Sequence, residues 1–187
     1  MPPVYRAVVL GSSGCGKTSL IRRFVEDSFT CEYEPTIEEK YTKKATFAGI
    51  SITLEIIDTA GKELVANQHL PYYEKADAFI VCYAVDDKKS YEYAVKVFTQ
   101  IAEHRGTHSI ARVLVGTRLD CPSRSVSLSS GSVLSAQLQC SFAETSSAHN
   151  INIVDVFEEV VCQIRFIQGM KKADEKRTFD SLFCCLF

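Results

Sequence analysis

Lys17 and Thr18 close the run Gly11-Ser-Ser-Gly-Cys-Gly-Lys-Thr18, which has the spacing G-x-x-x-x-G-K-[ST]. A glycine-rich turn that ends this way can wrap a polyphosphate. Its backbone N–H groups converge on one spot, the lysine reaches the terminal phosphates, and the hydroxyl can ligate Mg²⁺. Two acidic residues have related settings. Asp58 leaves the alternating run Ile50-Ser-Ile-Thr-Leu-Glu-Ile56 and enters Thr-Ala-Gly61, and Asp120 follows the apolar run Val113-Leu-Val-Gly116 by four residues. In phosphate-loop NTPases an Asp placed like Asp58 helps to hold Mg²⁺, but an Asp can also simply cap or start a helix. From spacing alone both readings stand, and glycines that only serve a turn remain a third.

The elements that must position these residues are legible as periodicity. The apolar run Val4 to Leu10 precedes the glycine loop, so the loop joins a buried strand to a helix whose apolar face is Leu20, Ile21, Phe24 and Val25, ending near Asp27. From Ser28 to Glu39 the pattern is lost and a long loop is expected. Tyr41 to Phe47 and Ile50 to Ile56, on either side of Ala48-Gly49, predict an antiparallel hairpin at one side of a sheet. Ala78 to Val85 is a continuous apolar run of the kind found in central parallel strands, and Val113 to Gly116 is another. Tyr91, Ala94, Phe98 and Ile101 recur at helical spacing, as do Val154, Phe157, Val161 and Ile164. The serine-rich stretch Ser123 to Ser135 predicts only a short or weak helix, and Ser141 to Thr145 a last strand. Strands alternating with helices between Val4 and Gln168 make one α/β domain around a mainly parallel sheet. We expect this domain to span residues 1–169, with a flexible tail over 170–187.

Composition narrows the remaining classes. A hydrophobic content of 46% is that of an ordinary globular chain, and a net charge of -2 gives no general attraction to nucleic acid. None of the eight cysteines forms a C-x-x-C pair, so free thiols in a reducing compartment are expected rather than zinc or disulfides. Met1 to Arg6 reads as neither a signal peptide nor a myristoylation sequence.

These signals, in this order and spacing, resemble the Ras superfamily of small GTPases, and Tyr33-Glu-Pro-Thr-Ile-Glu-Glu-Lys-Tyr41 is similar to the effector loop of its Ras branch. The resemblance implies a G domain with a six-stranded, mainly parallel sheet, one antiparallel edge strand and about five helices. It implies GTP or GDP as ligand with Mg²⁺, held by Thr18, Thr36 and, through water, Asp58. The phosphates would lie on Ser13, Gly14, Cys15, Gly16, Lys17, Thr18 and Ser19, with N–H groups of Thr36 and Gly61 on the γ-phosphate and Tyr33 beside it. Phe29 would cover the base, while Thr117, Arg118 and Asp120, with Ser146, Ser147 and Ala148 after Glu144-Thr145, would read it. Asp120 would accept from guanine N1–H and the exocyclic amine; adenine offers neither donor there, which supports about 10⁴-fold discrimination. Effectors would bind Tyr33, Glu34, Pro35, Thr36, Ile37, Glu38, Glu39, Lys40 and Tyr41, and exchange factors are further expected partners of a monomeric switch.

The chain also departs from the family. Thr117-Arg118-Leu119-Asp120 replaces the usual Asn-Lys-x-Asp, Ala148 stands for a lysine, Ser13 for a glycine beside the γ-phosphate, and Lys62 for the glutamine that orients the attacking water. An ammonium donates but cannot accept a hydrogen bond, so Lys62 cannot do the glutamine's full task. Slow hydrolysis is therefore expected, and a constantly GTP-bound scaffold is the alternative. A phosphate-loop kinase would need an acceptor site and an arginine-rich lid, and neither is evident. Finally, Cys184-Cys185-Leu186-Phe187 fits C-a-a-X, which predicts geranylgeranylation of Cys184 and a lipid-anchored pool on the cytoplasmic face of a membrane beside a cytosolic one.

Overall fold

The computed structural model describes residues 2–32, 38–47, 49–61, 74–105 and 110–184. Six strands form one sheet: β1 (Val4–Gly11), β2 (Glu38–Phe47), β3 (Ile50–Thr59), β4 (Ala78–Ala84), β5 (Ala111–Thr117) and β6 (Ser141–Glu144). Their order is β2-β3-β1-β4-β5-β6. Every pairing is parallel except the hairpin β2–β3, whose register sets Phe47 opposite Ile50 across the turn at Gly49. Among the described residues four helices flank the sheet: α1 (Lys17–Glu26), α2 (Lys88–Arg105), α3 (Leu128–Leu138) and α4 (Ile153–Cys184).

The apolar residues that set the periodicity become two cores, one on each face. Leu20, Ile21 and Phe24 of α1 pack with Val156, Phe157, Val160 and Ile164 of α4 on one face, where the Phe24 and Phe157 rings stack with centroids 3.9 Å apart. On the other face Ala94, Val97, Phe98 and Ile101 of α2 and Leu134 of α3 cover Leu10, Phe79, Val81, Tyr83 and Leu114. Strands β4 and β5 are buried at every position, as their continuous apolar runs require. The cysteines at 15, 31, 82, 121, 140 and 162 are free thiols.

Two elements depart from the sequence reading. The serine-rich helix is three turns of well-capped α-helix: the Ser127 hydroxyl accepts from the Ser130 N–H at 3.1 Å, and Gln139 closes the other end in the left-handed conformation at φ 51°. Serine at the N-cap favours a helix that it would weaken in the interior. At the C-terminus the backbone stays helical past Gly169 to Cys184, where a flexible tail was expected. Met170 to Phe183 lacks an apolar period but contains Lys, Ala, Glu, Arg and Leu, so intrinsic propensity accounts for the continuation.

Candidate functional site

The carboxyl ends of the parallel strands carry the site. After β1 the chain turns through the glycine loop into α1, whose N-cap is Gly16 at φ 92°, a conformation that side chains rarely adopt. Gly16 supplies no side-chain cap, so the first-turn N–H groups and the positive end of the helix dipole face the cleft. Lys17 is folded back over the loop, its Nζ donating to Gly11 O at 3.0 Å and Ser12 O at 2.9 Å. Cys15, by contrast, points into the sheet with its Sγ 3.5 Å from Cys82 O. Burial pushes its thiol pKa up, so it serves packing rather than nucleophilic chemistry.

Strand β3 delivers Asp58 to the same place. Thr18 Oγ1 donates to Asp58 Oδ2 at 2.6 Å, while Oδ1 is buried with no hydrogen-bond partner. Burial raises the Asp58 pKa, against the opposing pull of the Thr18 bond and the Lys17 charge. A hydroxyl, a carboxylate and a spare carboxylate oxygen are hard donors that fit a hard divalent cation. Such an ion would give Oδ1 a partner and favour the ionised form. Three residues on, Gly61 lies against the loop so closely that an added Cβ would meet the Cα and N of Ser13 at 2.3 Å. Only glycine fits there.

Strands β5 and β6 supply a second set of loops. The Thr117 hydroxyl is shared between Cys15 O and, at 3.0 Å, Tyr83 O, which ties the glycine loop to the sheet. Arg118, at φ 59°, donates to Gly14 O and to Asp86 Oδ2, the latter at 3.2 Å. Its guanidinium thus bridges the glycine loop and the end of β4. Asp120 is oriented from behind: Ser146 Oγ donates to its Oδ1 at 2.5 Å and accepts from the His149 N–H at 3.1 Å. The backbones of these loops are stitched together by Leu119 N–H to Thr145 O at 2.9 Å and Thr145 N–H to Gly116 O at 2.7 Å. Below them Arg124 holds the buried Glu144 with two bonds of 2.7 and 2.8 Å, and Arg23 Nε donates to Ser147 O at 2.7 Å.

Together these loops line one cleft of about 810 Å³. Ser13, Gly14, Gly16, Lys17, Thr18, Ser19, Phe29, Gly61, Thr117, Arg118, Asp120, Ser147 and Ala148 all reach it, while Cys15, Asp58 and Ser146 stand behind its wall. Tyr33, Glu34, Pro35, Thr36, Ile37 and Lys62 lie outside the described residues. Glu38, Glu39 and Lys40 are exposed on the edge strand β2, whereas Tyr41 is buried there. Its hydroxyl donates to Glu39 Oε2 at 2.6 Å and accepts from Arg22 Nε at 3.3 Å. Burial, with the bond to Glu39, pushes the Tyr41 pKa up to about 12. Sequence reasoning missed Arg22 and Asp86, which both line the cleft. Asp86 had a signal, an acidic residue just past the apolar run 78–85 at the end of a parallel strand. Arg22 had none, because it sat among the solvent-facing positions of α1.

Comparison with known proteins points the same way as this geometry. The profile of the Ras family matches residues 6–166. Ras-related protein R-Ras of Mus musculus is 34% identical over 170 residues, which cover 89% of this chain and 78% of that protein. GTP-binding protein Rit2 of Rattus norvegicus is 33% identical over 174 residues, 92% of this chain and 80% of its own. Ras-like protein 2 of Mucor circinelloides f. lusitanicus is 31% identical over 186 residues, 97% and 93% respectively.

Proposed function

The chain belongs to the Ras family of small GTPases, enzymes that hydrolyse GTP to GDP, and from that premise we propose a Mg²⁺-dependent guanine-nucleotide switch that hydrolyses GTP slowly. The observation that carries the proposal is the single cleft with Lys17 and Thr18 at its β1 side and Asp120 and Ser147 beyond β5. At ~4.8 Å per strand, those loops are two to three strands apart, roughly 10–14 Å, the reach of a nucleotide laid across the sheet. On binding, Lys17 exchanges the carbonyls of Gly11 and Ser12 for phosphate oxygens, and the first-turn N–H groups of α1 take up the remaining charge. Asp120, already fixed by Ser146, accepts the two guanine donors without reorganising.

Thr18 and Asp58 would hold Mg²⁺, which when bound neutralises charge between the phosphates. Thr36 would complete that set, and its N–H with that of Gly61 would read the γ-phosphate, contacts that exist only in the triphosphate state and so distinguish it from the diphosphate state. Effectors engage Tyr33 to Tyr41 in that state, and exchange factors reload the switch. Slow turnover follows from two residues. Ser13 puts a side chain where the loop approaches Gly61, and Lys62 lacks the acceptor needed to align the attacking water. Geranylgeranylation at Cys184 tethers the chain to the cytoplasmic face of a membrane. The tail's four cationic and three anionic residues, Lys171, Lys172, Lys176 and Arg177 against Asp174, Glu175 and Asp180, leave a net charge of only +1, so the tether is weak and reversible.

Single-turnover hydrolysis of bound GTP tests the slow rate. We expect Lys62→Gln and Ser13→Gly each to accelerate it, by about tenfold or more together. No gain in either variant would overturn the assignment of slow turnover to these residues, and GTP that never decays would favour the scaffold.

A further inference from the structure

Arg23 lies in the last turn of α1, behind the wall of the nucleotide cleft rather than in it, and its side chain is 16% exposed. Its guanidinium holds two segments far apart in the chain. Nη1 donates to Asp27 O at 2.9 Å and to Asp27 Oδ1 at 3.1 Å, and Nε donates to Ser147 O at 2.7 Å. The Asp27 bonds have a local explanation, because a cation in the last turn commonly serves the final carbonyls of a helix. The bond to Ser147, 124 positions away, has no such local cause.

A trans peptide is planar, with its C=O and N–H pointing in opposite directions. The Ser147 carbonyl points back to Arg23, so the N–H of the same peptide, that of Ala148, points the other way, towards the cleft that Ser147 and Ala148 line. On the edge that Asp120 meets, guanine presents two donors, N1–H and the amine, and beside them the O6 acceptor. A carboxylate takes the two donors and has nothing to offer O6. The Ala148 N–H is a donor of the required kind. The other arm of the guanidinium fixes Asp27, which ends α1 in the left-handed conformation at φ 53°, just before the chain reaches Phe29 on the cleft wall. We propose that Arg23 is a positioning residue for base specificity: it aims the peptide between Ser147 and Ala148 at guanine O6 and ties that donor to the segment carrying Phe29. The role rests on the guanine-nucleotide switch proposed for this cleft and deepens it, assigning the O6 side of recognition to an arginine that touches no ligand. Adenine has an amine in place of O6, so the same N–H disfavours it.

The test is displacement of a fluorescent GDP analogue from the full-length chain by three competitors. They are GDP, 6-thio-GDP, in which a weakly accepting sulfur replaces O6, and inosine diphosphate, which keeps O6 but lacks the amine. The parent should prefer GDP to 6-thio-GDP by about three- to tenfold, the contribution of one neutral hydrogen bond. Arg23→Met continues the helix with similar propensity and should cut that preference by about half or more. It should leave the preference for GDP over inosine diphosphate unchanged, because Ser146 and not Arg23 holds Asp120. An unchanged 6-thio-GDP preference, or equal losses in both preferences, would overturn the proposal. Arg23→Lys keeps a cation at the helix end but has no planar fork to span both acceptors, so it should weaken the same preference alone. It decides by the same two ratios should Arg23→Met fail to fold. A parent chain that binds no guanine nucleotide would overturn the switch and this proposal together, whereas the ratios overturn the proposal alone.

Discussion

Ser146→Ala removes one hydroxyl that no ligand needs to touch, and it tests whether the cleft reads its base through Asp120. Ser146 is fully buried, and its Oγ donates to Asp120 Oδ1 at 2.5 Å while accepting from the His149 N–H at 3.1 Å. A hydrogen bond to a charged group contributes about 1.5–3 kcal/mol, and 1.4 kcal/mol is tenfold in an equilibrium constant. If that bond is what holds the carboxylate in register with guanine, GDP should leave about 10 to 150 times faster in stopped-flow displacement of a fluorescent analogue. Inosine diphosphate lacks the exocyclic amine, so Asp120 makes one bond to it instead of two and the acceleration should be smaller. The orphaned His149 N–H should cost about 1–3 kcal/mol of fold stability, checked by denaturant unfolding. An unchanged GDP release rate would refute the reasoning. Equal acceleration for both nucleotides would also refute it, because it would assign the effect to general loosening of the loop.

Other consequences follow from the same geometry. Chelation of Mg²⁺ should speed GDP release by about tenfold or more in the parent, and much less in Asp58→Ala, because the parent alone has the carboxylate to lose its ion. Arg124→Met strands Glu144, whose side chain is 6% exposed. As Arg124 itself is 33% exposed, we expect the low end of the penalty for breaking a buried pair, about 3 kcal/mol, seen as a fall in denaturant midpoint. Lys40 and then Arg6 hold the Glu55 pKa below its usual value, so this stabilisation is present above about pH 4.3 and is lost as pH falls through the lower, folded-state value. The stability deficit of Glu55→Gln, about 0.5–1 kcal/mol at neutral pH for so accessible a pair, should therefore vanish in strong acid. Cys184→Ser should move the chain from the membrane fraction to the cytosolic one; unchanged fractionation would contradict the lipid assignment.

The parts of the fold that could be read in advance were those whose cause is local. The continuous apolar runs at 78–85 and 113–116 had to be doubly buried strands, and the glycine spacing before Lys17 had to be a tight loop entering a helix. The helix at Leu128–Leu138 was underestimated because a serine's effect changes sign with position. At 127 it caps, and that depends on where the helix starts rather than on composition. The residues that position the site were harder to see because they pair across the chain. Arg118 meets Asp86 over 32 positions, Arg23 meets Ser147 over 124, and Arg124 meets Glu144 only once β6 is in the sheet. Such pairs leave no periodicity.

The central claim is that one cleft joins a phosphate loop to a guanine reader. Its most direct test is to denature the freshly purified chain and identify the released nucleotide by chromatography. The account predicts close to one guanine nucleotide per chain, GTP at first and GDP only after long incubation, with Asp120→Ala coming away largely empty. Adenine nucleotide in its place, no nucleotide at all, or an Asp120→Ala chain loaded like the parent would contradict it.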